Sequence, residues 1–201
     1  QVITGIEKLG FYHVVEAALG ADMVAFSESR ELTERDDFMT SSCCPAFVDY
    51  IHKAFPDLAE HISTNLSRAA AIAKYITETD EVRPYIDSVI TFEELQALFD
   101  SRDLDITTLE EGVLNNASYY GRIFARSGGL ADAVQQALKE QNLDEKHIYD
   151  PISCDGIEAC RVALLKASKG VLPNNFVEGM ACSGGCIGGA GCLTHGEKNK
   201  S

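Results

Sequence analysis

Seven cysteines carry the most reactive chemistry in this 201-residue chain, and five of them fall in two short stretches. The run Glu178-Gly179-Met180-Ala181-Cys182-Ser183-Gly184-Gly185-Cys186-Ile187-Gly188-Gly189-Ala190-Gly191-Cys192 sets three thiols among six glycines. Glycine permits close backbone approach and positive φ, so a bulky object can rest directly on the main chain. Thiolates beside such a backbone suit iron–sulfur ligation, because amide N–H groups can hydrogen-bond to the sulfurs. The same loop also fits a tight turn with buried free thiols, since cysteine is among the most buried residue types. The second stretch, Thr40-Ser41-Ser42-Cys43-Cys44-Pro45-Ala46-Phe47, places two adjacent cysteines before a proline able to open a helix. An odd cysteine count with this spacing argues against a secreted disulfide scaffold and for a reducing cytoplasm with a metal cluster.

Together, Thr40–Pro45 and Glu178–Cys186 closely resemble two of the three signature motifs of the iron-only (FeFe) hydrogenases. The connecting stretches Phe55-Pro56-Asp57-Leu58, Thr91-Phe92-Glu93-Glu94-Leu95 and Ser127-Gly128-Gly129 extend the resemblance over most of the chain. It implies a catalytic domain over 1–201, with an α/β fold of two lobes of mainly parallel sheet flanked by helices. The active site would lie in the cleft between lobes drawn at 1–76 and 77–201. The implied cofactor is the H-cluster: a 4Fe–4S cluster held by four cysteines, bridged to a di-iron unit with CO, CN⁻ and dithiolate ligands. By motif position, Cys44, Cys182 and Cys186 are three of the four ligands, and Cys186 is the bridge. The implied reaction is reversible reduction of protons to H₂, with a ferredoxin or another electron-carrier protein or subunit as partner. A low-turnover H₂ or redox sensor on the same scaffold is the alternative, as is a silent or apo iron–sulfur protein.

The resemblance also assigns proton chemistry. Cys43 aligns with the cysteine that passes protons to the dithiolate; otherwise it is a small buried hydrophobe. Glu28, Glu31 and Arg35 stand at i, i+3 and i+7 on one helix face and align with two proton-path glutamates and an entrance arginine. Without the alignment they would read as a solvated face with an ordinary Glu31–Arg35 pair. Ser63 aligns with the serine relaying between the glutamates. Met180 aligns with a methionine beside the di-iron unit, or simply fills a core gap. Ser67 aligns with a pocket serine, although Arg68-Ala69 stands where the family has Ser-Pro. The third motif, Pro-Cys-x-x-Lys-Lys, is missing; only Thr77-Glu78-Thr79-Asp80 lies where it belongs. That junction, and a short one between Arg35 and Met39, point to omitted segments.

A formal charge of −14 excludes nucleic acid and anionic membrane surfaces as partners, which require a basic footprint. An acidic carrier would need a local basic patch, which Lys166, Lys169, Lys198 and Lys200 offer. No run reaches the roughly 20 apolar residues of a membrane helix. The N-terminus lacks signal-peptide features and a start methionine, as expected of an internal piece of a cytoplasmic protein; the resemblance implies an anaerobic setting.

Patterning places helices over Val2–Leu9, near Asp22–Arg35 with Met23 and Phe26 inward, from Pro45 with Phe47, Val48, Ile51 and Phe55 inward, and over Arg68–Ile76 behind Ser67 as N-cap. Thr91-x-x-Glu94 is a capping box for a helix around Glu93–Phe99. Further helices are expected over Gly129–Lys139 and from an Asp155-x-x-Glu158 cap to Ser168, with Cys160 in the core. Short strands are expected at Phe11–Val15 and Ser88–Ile90. Strands alternating with helices argue for a largely parallel α/β fold.

Overall fold

The structure is a computed structural model that describes residues 1–78, 88–145 and 147–193. Its centre is strand β3 (Phe176–Met180), buried along its whole length. Two parallel neighbours flank it in the order β1-β3-β2, where β1 is Met39–Thr40 and β2 is Pro151–Asp155. The register pairs Met39 with Phe176, Ser153 with Glu178 and Asp155 with Met180. A central parallel strand must be covered on both faces. Phe176 and Met180 face a core built on α2 (Ala17–Thr33) and α7 (Gly129–Glu140). Val177 faces α3 (Pro45–Ala54) and α8 (Ile157–Ser168) on the other side. The remaining helices are α1 (Val2–Lys8), α4 (Arg68–Glu78), α5 (Phe92–Asp100) and α6 (Tyr119–Ile123). β1 precedes residue 76 while β2 and β3 follow it, so both proposed lobes contribute to one sheet.

Gly179 fixes how closely α3 can approach. A Cβ there would stand far inside contact distance of the Phe47 ring, which is fully buried. Gly179→Ala should therefore lower stability by about 1–3 kcal/mol or more through overpacking. A parent-like urea midpoint would show that α3 packs elsewhere.

The α/β class is as expected, but the strands are not where patterning placed them. Residues 11–15 and 88–90 form no strand; Tyr12 is 92% and Val89 is 96% exposed. Aromatic and β-branched content there reflects local propensity with no sheet edge to pair it. Helix α2 starts five residues earlier than expected and turns Met23 and Phe26 outward, burying Ala21, Val24, Ala25, Glu28 and Leu32 instead. Arg35 lies just past its C-cap, Glu34, not on the helix proper. Asp155 ends β2 rather than capping α8, whose N-cap is Gly156 at φ 84°. The Thr91 capping box is complete, with both reciprocal bonds. Lys198, Lys200 and the junction after Glu78 lie outside the described residues.

Candidate active site at the C-terminal edge of the sheet

All three strands end on the same side, and both cysteine motifs begin there. Ligands of open α/β sheets gather at this edge. β1 runs into Ser41-Ser42-Cys43-Cys44, and Pro45 starts α3 immediately after. β3 runs through Met180 into the glycine-rich loop. Cys43 and Cys44 are buried, Cys186 and Cys192 half-buried, and Cys182 exposed. Cys186 packs against the core that contains Cys43 and Met180. Cys44 lies in the opposite core, against which Ala181 packs. The two motifs therefore meet around the Cys43–Cys44 step.

The loop is held from both sides. The Asp155 carboxylate accepts from the Gly184 amide. The Cys186 amide donates to the Ala125 carbonyl at 2.8 Å, and Arg126 forms an antiparallel bridge with Gly185. Gly185 sits at φ 82° with backbone of 125–127 where a Cβ would go, so no other residue fits. Cys192 donates its thiol to the Cys186 carbonyl at 3.2 Å. Cys154 and Cys160 are buried in the α3–α8 core, and the Cys160 thiol is pushed up by its hydrogen bond with Cys154 and by burial.

A line of polar side chains leads from the surface to Cys43. Arg35 donates to Glu31 at 2.8 Å and to the carbonyls of Glu60 and Ile62. Glu31 also accepts from the Ser63 hydroxyl at 2.8 Å, the Asn65 side chain at 2.8 Å and the Thr64 amide. Ser63 is fixed because its amide donates to the Thr40 carbonyl, running residues 62–63 alongside β1. Burial acts to raise Glu31, but the Arg35, Thr64 and Ser63 hydrogen bonds outweigh it and hold the carboxyl below the usual range. Glu28, one turn inward, is fully buried, and burial pushes it up to about 8. Ser42 and Ser63 act in the opposite sense, yet neither Glu28 oxygen has a well-formed hydrogen bond. Burial first, then Glu28, Cys186, Glu178 and Cys44, hold the Cys43 thiol far up, so it stays protonated at neutral pH. One carboxylate is ionised near the surface and the other neutral inside, with Ser63 between them; such a split marks acid and base roles.

Glu28 makes stability depend on pH. The folded carboxyl keeps its proton to about pH 8, whereas the unfolded chain releases it near 4.5. Its contribution is fully present below the unfolded value and is lost as pH rises through the folded one. The slope is at most about 1.4 kcal/mol per pH unit in that window. Urea midpoints should fall between pH 5 and pH 8 in the parent, and less in Glu28→Gln. The same fall in both proteins would mean that Glu28 is ionised in the fold.

Of the residues singled out from sequence, Glu28, Glu31, Ser63, Arg35 and Cys43 lie in this line. Cys44, Cys186 and Met180 lie at its inner end, and Cys182 lies on the adjoining loop. Ser67 stands apart as the N-terminal partner of α4, its hydroxyl accepting from Ala70 and its carbonyl from Ala71. Asn65, Asp155 and Glu178 were missed. An acidic residue inside the apolar run Phe-Val-Glu-Gly-Met was the available signal for Glu178; Asn65 offered none.

The family model described as "Iron only hydrogenase large subunit, C-terminal domain" matches residues 1–85 and 77–190. The chain belongs to that family. Iron hydrogenase 1 of Clostridium pasteurianum is 24% identical over 257 residues, covering 95% of this chain and 45% of that protein. The periplasmic [Fe] hydrogenase large subunit of Nitratidesulfovibrio vulgaris is 24% identical over 259 residues, covering 95% of this chain and 62% of that protein. The chain thus spans about half the length of these relatives. Both alignments are longer than the chain itself, so the relatives carry stretches that it lacks. The fold is shared with the [FeFe]-hydrogenase HydA1 of Chlamydomonas reinhardtii at TM-score 0.72 and 21% identity, over 98% of this chain and 74% of that one.

The donor set was weighed against an iron–sulfur cofactor. Cys182 and Cys186 share one glycine-rich loop, where the Cβ missing at Gly189 would lie 3.1 Å from the Cys182 sulfur, and Cys44 stands at the N-cap of α3. Among the described residues, no three Cys, His, Asp or Glu side chains converge as on a single ion. Cys44, Cys182 and Cys186 are of the donor type that a four-thiolate cubane takes, one thiolate short of the full set.

Proposed function

We propose that this chain forms the larger part of the catalytic site of an FeFe-hydrogenase, the enzyme of 2H⁺ + 2e⁻ ⇌ H₂. The observation that carries this reading is the hydrogen-bonded Arg35–Glu31–Ser63 chain with the buried Glu28 one turn inward, beside the motif cysteines. Cys44, Cys182 and Cys186 would hold the iron–sulfur part of the H-cluster, and Met180 would pack beside it. When bound, that group supplies the redox chemistry. The chain's own residues supply the protons. Glu31 takes a proton near the surface, where Arg35 and Asn65 fix its carboxylate. The Ser63 hydroxyl passes it inward to Glu28, which holds it as a neutral carboxyl within the core. Cys43, a protonated thiol next to Glu28, hands it on at the sheet edge. An acidic electron carrier such as a ferredoxin, in a reducing cytoplasm, completes the reading; all seven cysteines are free thiols.

The test is H₂ evolution by the matured natural protein with a reduced carrier, alongside infrared bands of metal-bound CO and CN⁻. Bands without turnover would favour a sensor; neither would leave a silent protein. Within the same assay, Glu31→Gln should slow turnover about 10²-fold or more while leaving the cluster spectra unchanged, because an amide does not relay protons as a carboxylate does. Unchanged activity would reduce Glu31–Arg35 to an ordinary ion pair.

A further inference from the structure

Among the described residues, Glu178 is the one fully buried carboxylate outside the proton line. It sits in the middle of β3 on the same face as Phe176 and Met180, with 0% exposure. Its carboxylate is fully engaged. Oε1 accepts from the Gly128 amide at 2.9 Å, and Oε2 from the Ala131 amide at 3.1 Å and the Ser153 hydroxyl at 2.8 Å. Gly128 is the N-cap of α7 at φ 85° and carries no side chain that could cap the helix. Glu178 therefore does what an N-cap residue ordinarily does, but from the central strand and across the core. Ser153 is its register partner on β2, so one carboxylate ties β3, β2 and α7 together.

The segment fixed in this way is the one that holds the cysteine loop. Ala125 and Arg126 lie three and two residues before Gly128. They take the Cys186 amide and bridge Gly185, and the Arg126 carbonyl accepts from Gly129 at 3.0 Å. A shift at Gly128 would be passed through this short backbone turn to Gly185 and Cys186, where packing is too close to absorb it.

We propose that Glu178 is a positioning residue: by anchoring the Gly128–Ala131 turn to β3, it sets where the Cys182–Cys186 loop presents its thiols. The link to cluster geometry rests on the function proposed above; the link to loop geometry does not. Glu178→Gln keeps the shape but turns an amide NH₂ toward donors that need an acceptor. Amide hydrogen exchange on the natural protein without its cofactor should then quicken about tenfold or more at Ala131 and at Cys186. Exchange at Ala21 and Val24 in α2 should stay parental. After loading with iron and sulfide, the electron paramagnetic resonance spectrum of the reduced cluster should shift, and Glu178→Asp, which keeps the charge, should restore it in part. Parental exchange at Cys186 together with a parental spectrum would overturn the proposal. If Glu178→Gln does not fold, Ser153→Ala removes a single bond to the same oxygen. Faster exchange at Ala131 without any change at Cys186 in that variant would equally overturn it. A parent that binds no iron would sink the proposed function, while the exchange measurements would still decide the positioning role.

Discussion

Cys43→Ala in the matured natural protein should leave iron content near that of the parent and cut H₂ turnover by about 10²- to 10⁴-fold, the usual worth of a positioned proton-transfer group. The expectation follows from where the thiol sits and what surrounds it. Cys43 is 6% exposed, adjoins Cys44, and lies within electrostatic reach of Glu28, whose carboxyl is neutral to about pH 8. The groups around it, Glu28, Glu178, Cys186 and Cys44, all disfavour its thiolate. A thiol kept protonated is a poor metal ligand, since ligation needs the deprotonated form, but it can give a proton and regain one from Glu28. On the proposed route, removing its sulfur takes away the group that receives the Glu28 proton. A methyl group in the same place keeps most of the packing, so folding and metal uptake should survive. Cys43→Ser tests the chemistry further, because a hydroxyl keeps a movable proton while being a much weaker acid. It should not exceed the alanine variant by more than a small factor if thiol acidity is what matters. Equal turnover in parent and Cys43→Ala would remove the residue from the proton route.

The line of residues was legible because its members are tied to short-range patterns. Glu28 and Glu31 are spaced for one helix face, and Cys43 and Cys44 sit next to a helix-opening proline. What brings Ser63 to Glu31 is long-range: the pairing of Thr40 with residues 62–63, which no local period announces. The strands show the same division. β3 was not among the expected strands, because a central parallel strand lacks polar–apolar alternation. β1 is two residues long, and β2 mixes Pro151, Ser153 and Asp155, so neither carries a strand pattern. The residues at 11–15 and 88–90 do carry one and form none, since strand propensity is satisfied only where a partner edge exists. The alternation argument thus reached the right fold class from the wrong segments. Glu178 was opaque for another reason: its partners are backbone amides of a distant helix start, whose positions depend on the finished fold.

The chain exactly as it stands should not assemble the complete site, and restoring one internal segment should make the difference between no turnover and turnover. Cubanes of this kind take four thiolates, and the motif positions supply Cys44, Cys182 and Cys186. The other candidates are committed elsewhere. Cys160 is 0% exposed in the α3–α8 core and hydrogen-bonded to the Cys154 and Met180 carbonyls. Cys154 is 2% exposed on β2 in the same core. Cys192 shares the loop that already gives two ligands and is bonded back to the Cys186 carbonyl. The family model meets the chain in two pieces that join at residues 77–85, where Pro-Cys-x-x-Lys-Lys should fall. Alignments of 257 and 259 residues to the relatives require extra residues on their side. The natural polypeptide is therefore expected to hold an insert between Ile76 and Glu81 containing that cysteine and its lysines. Tryptic mapping decides the covalent question: a peptide that starts at Tyr75 and reads straight through Glu81 would contradict the insert. Loading decides the chemical one. A polypeptide of the present sequence, at 21.8 kDa, should bind iron weakly and evolve no H₂, whereas the same chain with the segment restored should take a full cluster and turn over. Full iron content and H₂ evolution from the shorter polypeptide would show that one of the three remaining cysteines leaves its present bonds to serve as the fourth ligand.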